Sequence, residues 1–232
     1  MSSYDFRRIR TSFCQHSGLP FADVLPEEEI AEAFGEADAR KHADGEQESN
    51  VVYTLAVTLW ALLSQGLHKG EMRSCAAATA RVVVLMTALN RDCSDNSGAY
   101  CRARAKLPLA GIQRLALQTA DGCEQRVPQH WLWKGRHVQM VDGTTNSMPD
   151  TEENQAAFPQ PRSQKPGLGF PIIRLVVLVS LATAMVTGMA MGPYRGKETG
   201  ETALLRELFG RLNPGDVVLA DRYYCSYFML AL

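Results

Sequence analysis

A long apolar run, IIRLVVLVSLATAMVTGMAM at residues 172 to 191, restricts the fold of this chain more than any other feature. A run of that length either spans a bilayer as one helix or folds back on itself as two strands. Arg174 sits inside it, and IIRLVVLVSLAT and AMVTGMAMG are separated by a short break. β-Branched and apolar residues dominate both halves, so the run predicts two neighbouring strands in antiparallel pairing. The other apolar stretch, VVYTLAVTLWALLSQGL at 51 to 67, is short for a span and carries Thr, Tyr, Ser and Gln. It reads as a helix that is apolar nearly all round because it is buried.

What flanks the two strands gives them a purpose. Upstream, RHVQMVDG begins a segment of β character near residue 135, and its apolar approach ends at Asp142 before a glycine and two threonines. Between them lies TEENQAAFPQPRSQKPGLGFP, an unusually long irregular stretch rich in proline and glycine. Downstream, TGETALLRELFGRL predicts a helix with Leu204, Leu205, Leu208, Phe209 and Leu212 on one face and Thr199 as its N-cap. NPGD is a turn, and VVLA reads as a short strand buried on both faces that ends at Asp221. A right-handed crossover would set this last strand parallel beside the one carrying Asp142. Both carboxylates then fall near one edge of one sheet. Two aspartates with no histidine or cysteine close by favour a hard cation such as Mg²⁺ or Mn²⁺ over zinc. Without such a charge between them they repel.

The first part of the chain reads as helical. PEEEIAEAFGEADARK opens with Pro26 and glutamates, which suit the positive end of a helix dipole. EMRSCAAATARVVVLMTALN ends at Asn90, a further helix covers about Ala99 to Lys106, and Pro108 starts the next. At 46% hydrophobic and 21% charged, the chain has material for a real core. Its net charge of -1 carries no whole-chain signature for nucleic acid, yet the charge is sorted. Residues 21 to 50 carry a net of -8, and residues 95 to 137, with Arg102, Arg104 and Lys106, a net of +4. The six cysteines form no CxxC pair, and the start of the chain has no secretory pattern, so reduced thiols in a cytoplasmic protein are expected.

VDGTT, MPDTEENQAAFPQPRSQKPGLGFP, RGKETGETALLREL and NPGDVVLADRYYCSYF resemble the catalytic domain of DDE transposases of the bacterial insertion-sequence-four family. TLWALLSQ and YCRARAKLP resemble their helical N-terminal part. The resemblance implies an α/β fold: an incomplete ribonuclease-H-like mixed sheet over 135–232, preceded by an all-α region over 1–134 that binds DNA. It implies three acids holding two Mg²⁺ or Mn²⁺ ions, which cut transposon ends and join the 3′-hydroxyl to target DNA, and a homodimer in a synaptic complex. By motif, Asp142 resembles the first acid and Asp221 the second. Arg102, Arg104, Lys106, Arg195, Lys197 and Arg222 are candidates for phosphate contact.

Plainer roles stand beside these. Asp142 before Gly143 is also a turn residue, and Asp221 is also an N-cap for RYYCSYFMLAL. The basic trio doubles as a solvated helix face. Trp131 and Trp133 read as core or interface aromatics, His130 and His137 as structural histidines, and Asp150, Glu152 and Glu153 as parts of a solvated loop. Family members take the third acid, a glutamate, from a helix well beyond the second aspartate, whereas RYYCSYFMLAL contains no carboxylate. The expectation is therefore a truncated or split transposase, aggregation-prone and inactive alone, unless Glu198 or Glu201 substitutes. A non-catalytic DNA-binding or regulatory fragment is the competing class, and a membrane protein built on residues 172 to 191 the remaining one.

Overall fold

The computed structural model describes residues 25, 27–35, 51–165, 167–196 and 199–224. The chain divides into two compact units after Leu115.

The first unit is helical: α1 (Glu27–Phe34), α2 (Leu55–Leu67), α3 (Cys75–Ala88), α4 (Gly98–Ala105) and the start of α5 (Leu109–Glu124). The caps follow from sequence. Thr54 accepts from the Val57 amide at 3.3 Å and Ser74 from the Ala77 amide at 3.1 Å, each satisfying an orphan donor of a first turn. Asn90 closes α3 at φ 53°, as its tolerance of the left-handed region allows. The core is built from Ile30 and Phe34 of α1, Leu59 and Trp60 of α2, Val82 and Met86 of α3, and Tyr100 of α4. α2 is buried around most of its circumference, as its sequence predicts. Two large polar side chains inside are matched: Trp60 Nε1 donates to the Leu25 carbonyl at 3.1 Å, and Tyr100 Oη donates to Gln65. Arg114, part of the basic segment, donates to the carbonyls of Ala33 and Phe34 at 2.6 and 3.1 Å, where α1 leaves acceptors open.

Among the described residues the second unit is built on a four-stranded mixed sheet. β1 (Val138–Ser147), β2 (Ile172–Ser180), β3 (Val186–Pro193) and β4 (Val217–Ala220) lie in the order β3-β2-β1-β4. The long apolar run is the antiparallel β2–β3 pair, and β4 lies parallel to β1. No helix among the described residues is long and apolar enough to cross a membrane. Helix α7 (Glu201–Glu207) connects β3 to β4 and buries Leu204 and Leu205 with Leu208 against Val141, Val176, Leu178 and Ala190. The stretch after β1 is less irregular than expected: Thr151 caps a short helix, α6 (Glu152–Ala157), so Glu152 and Glu153 occupy a helical first turn.

Three local expectations are corrected. β4 is not buried on both faces: it is an edge strand among the described residues, with Val218 45% and Leu219 56% exposed. The N-cap of α7 is Gly200, not Thr199, and α7 ends at Glu207, so Phe209 falls in a separate turn of 3₁₀ helix. Trp131 and Trp133 are 57% and 53% exposed and belong to neither core, which corrects the core half of the core-or-interface reading. α1 is described over Glu27–Phe34, with Gly35 at φ 77° just beyond, and EADARK lies outside the described residues. His137 has the structural role expected of it, since its Nδ1 lies 2.9 Å from Glu124 Oε2. Lys197, Glu198, most of the acidic segment and everything after Tyr224 lie outside the described residues.

Candidate carboxylate site on the sheet

Alternation along β1 sends its side chains to two different places. Val141 packs into the core with α7, and Gly143 follows on the same face. Met140 and Asp142 therefore project from the other face, and Asp142 is exposed. The parallel ladder with β4 pairs Met140 with Leu219 and Val141 with Ala220, then stops. Asp142 and Asp221 are the next residue on each side. Adjacent strands run roughly 4.8 Å apart, so two residues level with each other across such a ladder are close neighbours. Both aspartates line one pocket of about 510 Å³, whose other walls include Met140, Val177, Val179 and Leu219.

Each carboxylate is anchored locally and retains free acceptor capacity. Asp142 Oδ1 accepts from the Gly143 amide at 2.8 Å. Asp221 Oδ1 accepts from the Tyr223 amide, and the Tyr224 amide donates to the Asp221 carbonyl at 3.1 Å. Asp221 thus heads the 3₁₀ turn Arg222–Tyr224, so the N-cap role and the pocket role coexist in one residue. An ionised carboxylate has about four lone-pair sites, and one amide donor leaves most of them for a cation.

Behind the sheet, Tyr224 is buried and donates from Oη to Glu201 Oε2 at 3.0 Å. Its pKa is raised above the ordinary tyrosine value, first by burial, then by the bond to Glu201 and that residue's charge, and then by the charges of Asp142 and Asp221. Among the described residues no group of three or more His, Cys, Asp and Glu is arranged to hold a metal. The donors at the pocket are two aspartates, a set of hard oxygens that suits Mg²⁺ or Mn²⁺ in kind.

The basic candidates are dispersed. Arg222 is exposed in the turn next to Asp221. Arg195 lines a separate pocket of about 670 Å³ with Asp150 and Arg162, not the carboxylate pocket. Arg102, Arg104 and Lys106 are exposed on or just after α4 in the first unit. Arg104 also reaches Gln65 at 3.4 Å and stacks its guanidinium 5.9 Å from the Tyr100 ring, so it serves the fold as well as the surface. Sequence reasoning missed Tyr224 and the requirement for Gly143. The signal available was the glycine itself, placed beside the candidate acid Asp142 in a strand, where glycine marks a close approach.

The chain has a helical unit and a mixed sheet with paired aspartates at adjacent strand ends, and it resembles transposases of the IS4 group. It is 29% identical over 133 residues to the transposase InsG for insertion sequence element IS4 of Escherichia coli K12, a match covering 57% of this chain and 29% of that protein. It is 26% identical over 131 residues to the putative transposase InsZ of the same organism, covering 55% of this chain and 42% of that protein. The chain thus matches less than half the length of either relative. No family model and no solved structure matches it.

Proposed function

We propose that this chain works in DNA transposition, with residues 135–232 forming part of a ribonuclease-H-like catalytic domain and residues 1–134 a helical DNA-binding region. The supporting observation is the ladder between β1 and β4, which ends one residue short of Asp142 and Asp221 and leaves both on one pocket. Similarity to two transposases supports DNA as the substrate.

Asp142 and Asp221 would hold Mg²⁺ or Mn²⁺. Such ions, when bound, activate the attacking oxygen and stabilise the leaving oxygen of an in-line phosphodiester displacement. The chain's own contribution is positioning. Two carboxylates on the ends of hydrogen-bonded strands need little rearrangement to act together, and both are open to an incoming phosphate because they are exposed. Arg222, one residue past Asp221, would contact a phosphate near the scission point, and Arg195 and Lys197 are further candidates for phosphate contact. Two subunits in a synaptic complex would bring two transposon ends together.

A full-length relative offers the direct test. Replacing the aspartate aligned with Asp142 or with Asp221 by asparagine should abolish metal-dependent cleavage of transposon ends and leave DNA binding largely intact. Cleavage that survives both changes contradicts the proposal. A second reading, a non-catalytic DNA-binding or regulatory protein, draws on the exposed Arg102, Arg104 and Lys106. It predicts salt-dependent DNA binding with no cleavage under any metal.

A further inference from the structure

Asp142 faces the pocket on one side of the sheet, while side chains that tie its strand to the turn after Asp221 meet on the other. Tyr224 is only 5% exposed, and its hydroxyl donates to Glu201, the first residue of α7. The two side chains meet where β1 has no side chain of its own. A Cβ on Gly143 would lie 2.5 Å from Glu201 Cδ and 2.8 Å from Tyr224 Oη. Neither separation is tolerable between packed heavy atoms. The turn that carries Tyr224 is in turn bonded to Asp221 through the Tyr223 and Tyr224 amides. One hydrogen bond therefore joins the start of α7 to the turn that follows Asp221, and it does so in the space over Gly143 of β1.

We propose that the Glu201–Tyr224 hydrogen bond, made in the space that Gly143 leaves, is a positioning clamp that holds Asp142 and Asp221 at the spacing needed to share a divalent cation. The proposal rests on the metal-site reading above. Carboxylates bind an ion well when supporting hydrogen bonds fix them before it arrives, and loss of such support typically lowers affinity by about 10- to 100-fold. Glu201 acts here by accepting a hydrogen bond and not by its charge, since it lies on the α7 side of the sheet. Tyr224 and Glu201 are positioning residues.

The test uses the chain 1–232 with Mn²⁺ as the only added ligand, its binding followed by the loss of the free-ion electron spin resonance signal. Thermal melts followed by circular dichroism verify that each variant is folded. Asp142→Asn sets the value for a missing ligand. Tyr224→Phe keeps the ring and removes only the hydroxyl; it should weaken Mn²⁺ binding at least fivefold while keeping a cooperative melt. Glu201→Ala should match it, which supplies a second variant should Tyr224→Phe fold poorly. Glu201→Gln retains an acceptor oxygen and should bind within twofold of the unmodified chain. If Asp142→Asn loses affinity while Tyr224→Phe and Glu201→Ala do not, the clamp is overturned and the metal site stands. If Glu201→Gln falls as far as Asp142→Asn, Glu201 acts through its charge and the clamp is overturned. If the unmodified chain and Asp142→Asn bind Mn²⁺ alike, the metal-site reading fails and the clamp fails with it.

Discussion

Gly143 shows how much one position can carry. Its neighbour Asp142 points to the pocket, and its own missing side chain makes room for Glu201 and Tyr224. Gly143→Ala should therefore destabilise the second unit by about 1–3 kcal/mol, the usual cost of forcing extra volume into a packed site. A urea midpoint that does not move would show that the two side chains can step aside. Tyr100 gives a prediction in pH. Burial pushes its hydroxyl up to about 12 from the ordinary value of 10.0. A folded-state pKa above the unfolded one means stabilisation that is fully present below pH 10 and lost as pH rises from there towards 12. Stability of the helical unit relative to Tyr100→Phe should therefore shrink between pH 10 and 12 and stay constant between pH 7 and 9. Denaturant midpoints of both proteins across that range check the sign. A difference that grows in alkali would contradict it.

At the scale of elements, α7 is short and depends on what it buries. Leu204 is 2% exposed and packs against Gly192 of β3, so Leu204→Ala should cost about 2–5 kcal/mol, read from the denaturation midpoint. An effect below about 1 kcal/mol would mean that the α7–sheet contact is not the core of this unit. The β2–β3 pair was legible in the sequence because its apolar run is long and its break short. Residues 172 to 191 have a β-branched composition that decides against a helix, and the break in LATA marks the turn. The parallel placement of β4 followed from one helix lying between two strands, and with it the juxtaposition of Asp142 and Asp221. Other features depend on the surroundings and not on the segment. VVLA has the composition of a central strand, yet its burial is set by which neighbours it has, and among the described residues it has one. Thr199 is as good a cap by chemistry as any, but the backbone turns into the helix one residue later, at Gly200. The role of Tyr224 was hidden because its partner, Glu201, is remote in sequence and meets it only across β1.

Over the whole molecule, charge and chemistry belong to different units. The basic trio lies in the helical unit, and the carboxylate pair lies in the sheet. If the trio binds DNA, replacing Arg102 and Lys106 by alanine should weaken binding about equally for all sequences and reduce the salt slope by about one for each phosphate no longer neutralised. Arg104 is better left in place, since its bonds to Gln65 and Tyr100 tie it to the core. Binding unchanged across several salt concentrations would leave these residues as a solvated face. Two aspartates are a minimal set for a hard divalent ion, so binding of the ion is expected to be weak. A shared ion between Asp142 and Asp221 is tested most directly by a Mn²⁺ titration of the unmodified chain beside Asp142→Asn and Asp221→Asn. One class of site is expected, removed by either substitution, with the folded state intact in both variants. Binding that survives each substitution unchanged would show that the two aspartates do not share an ion.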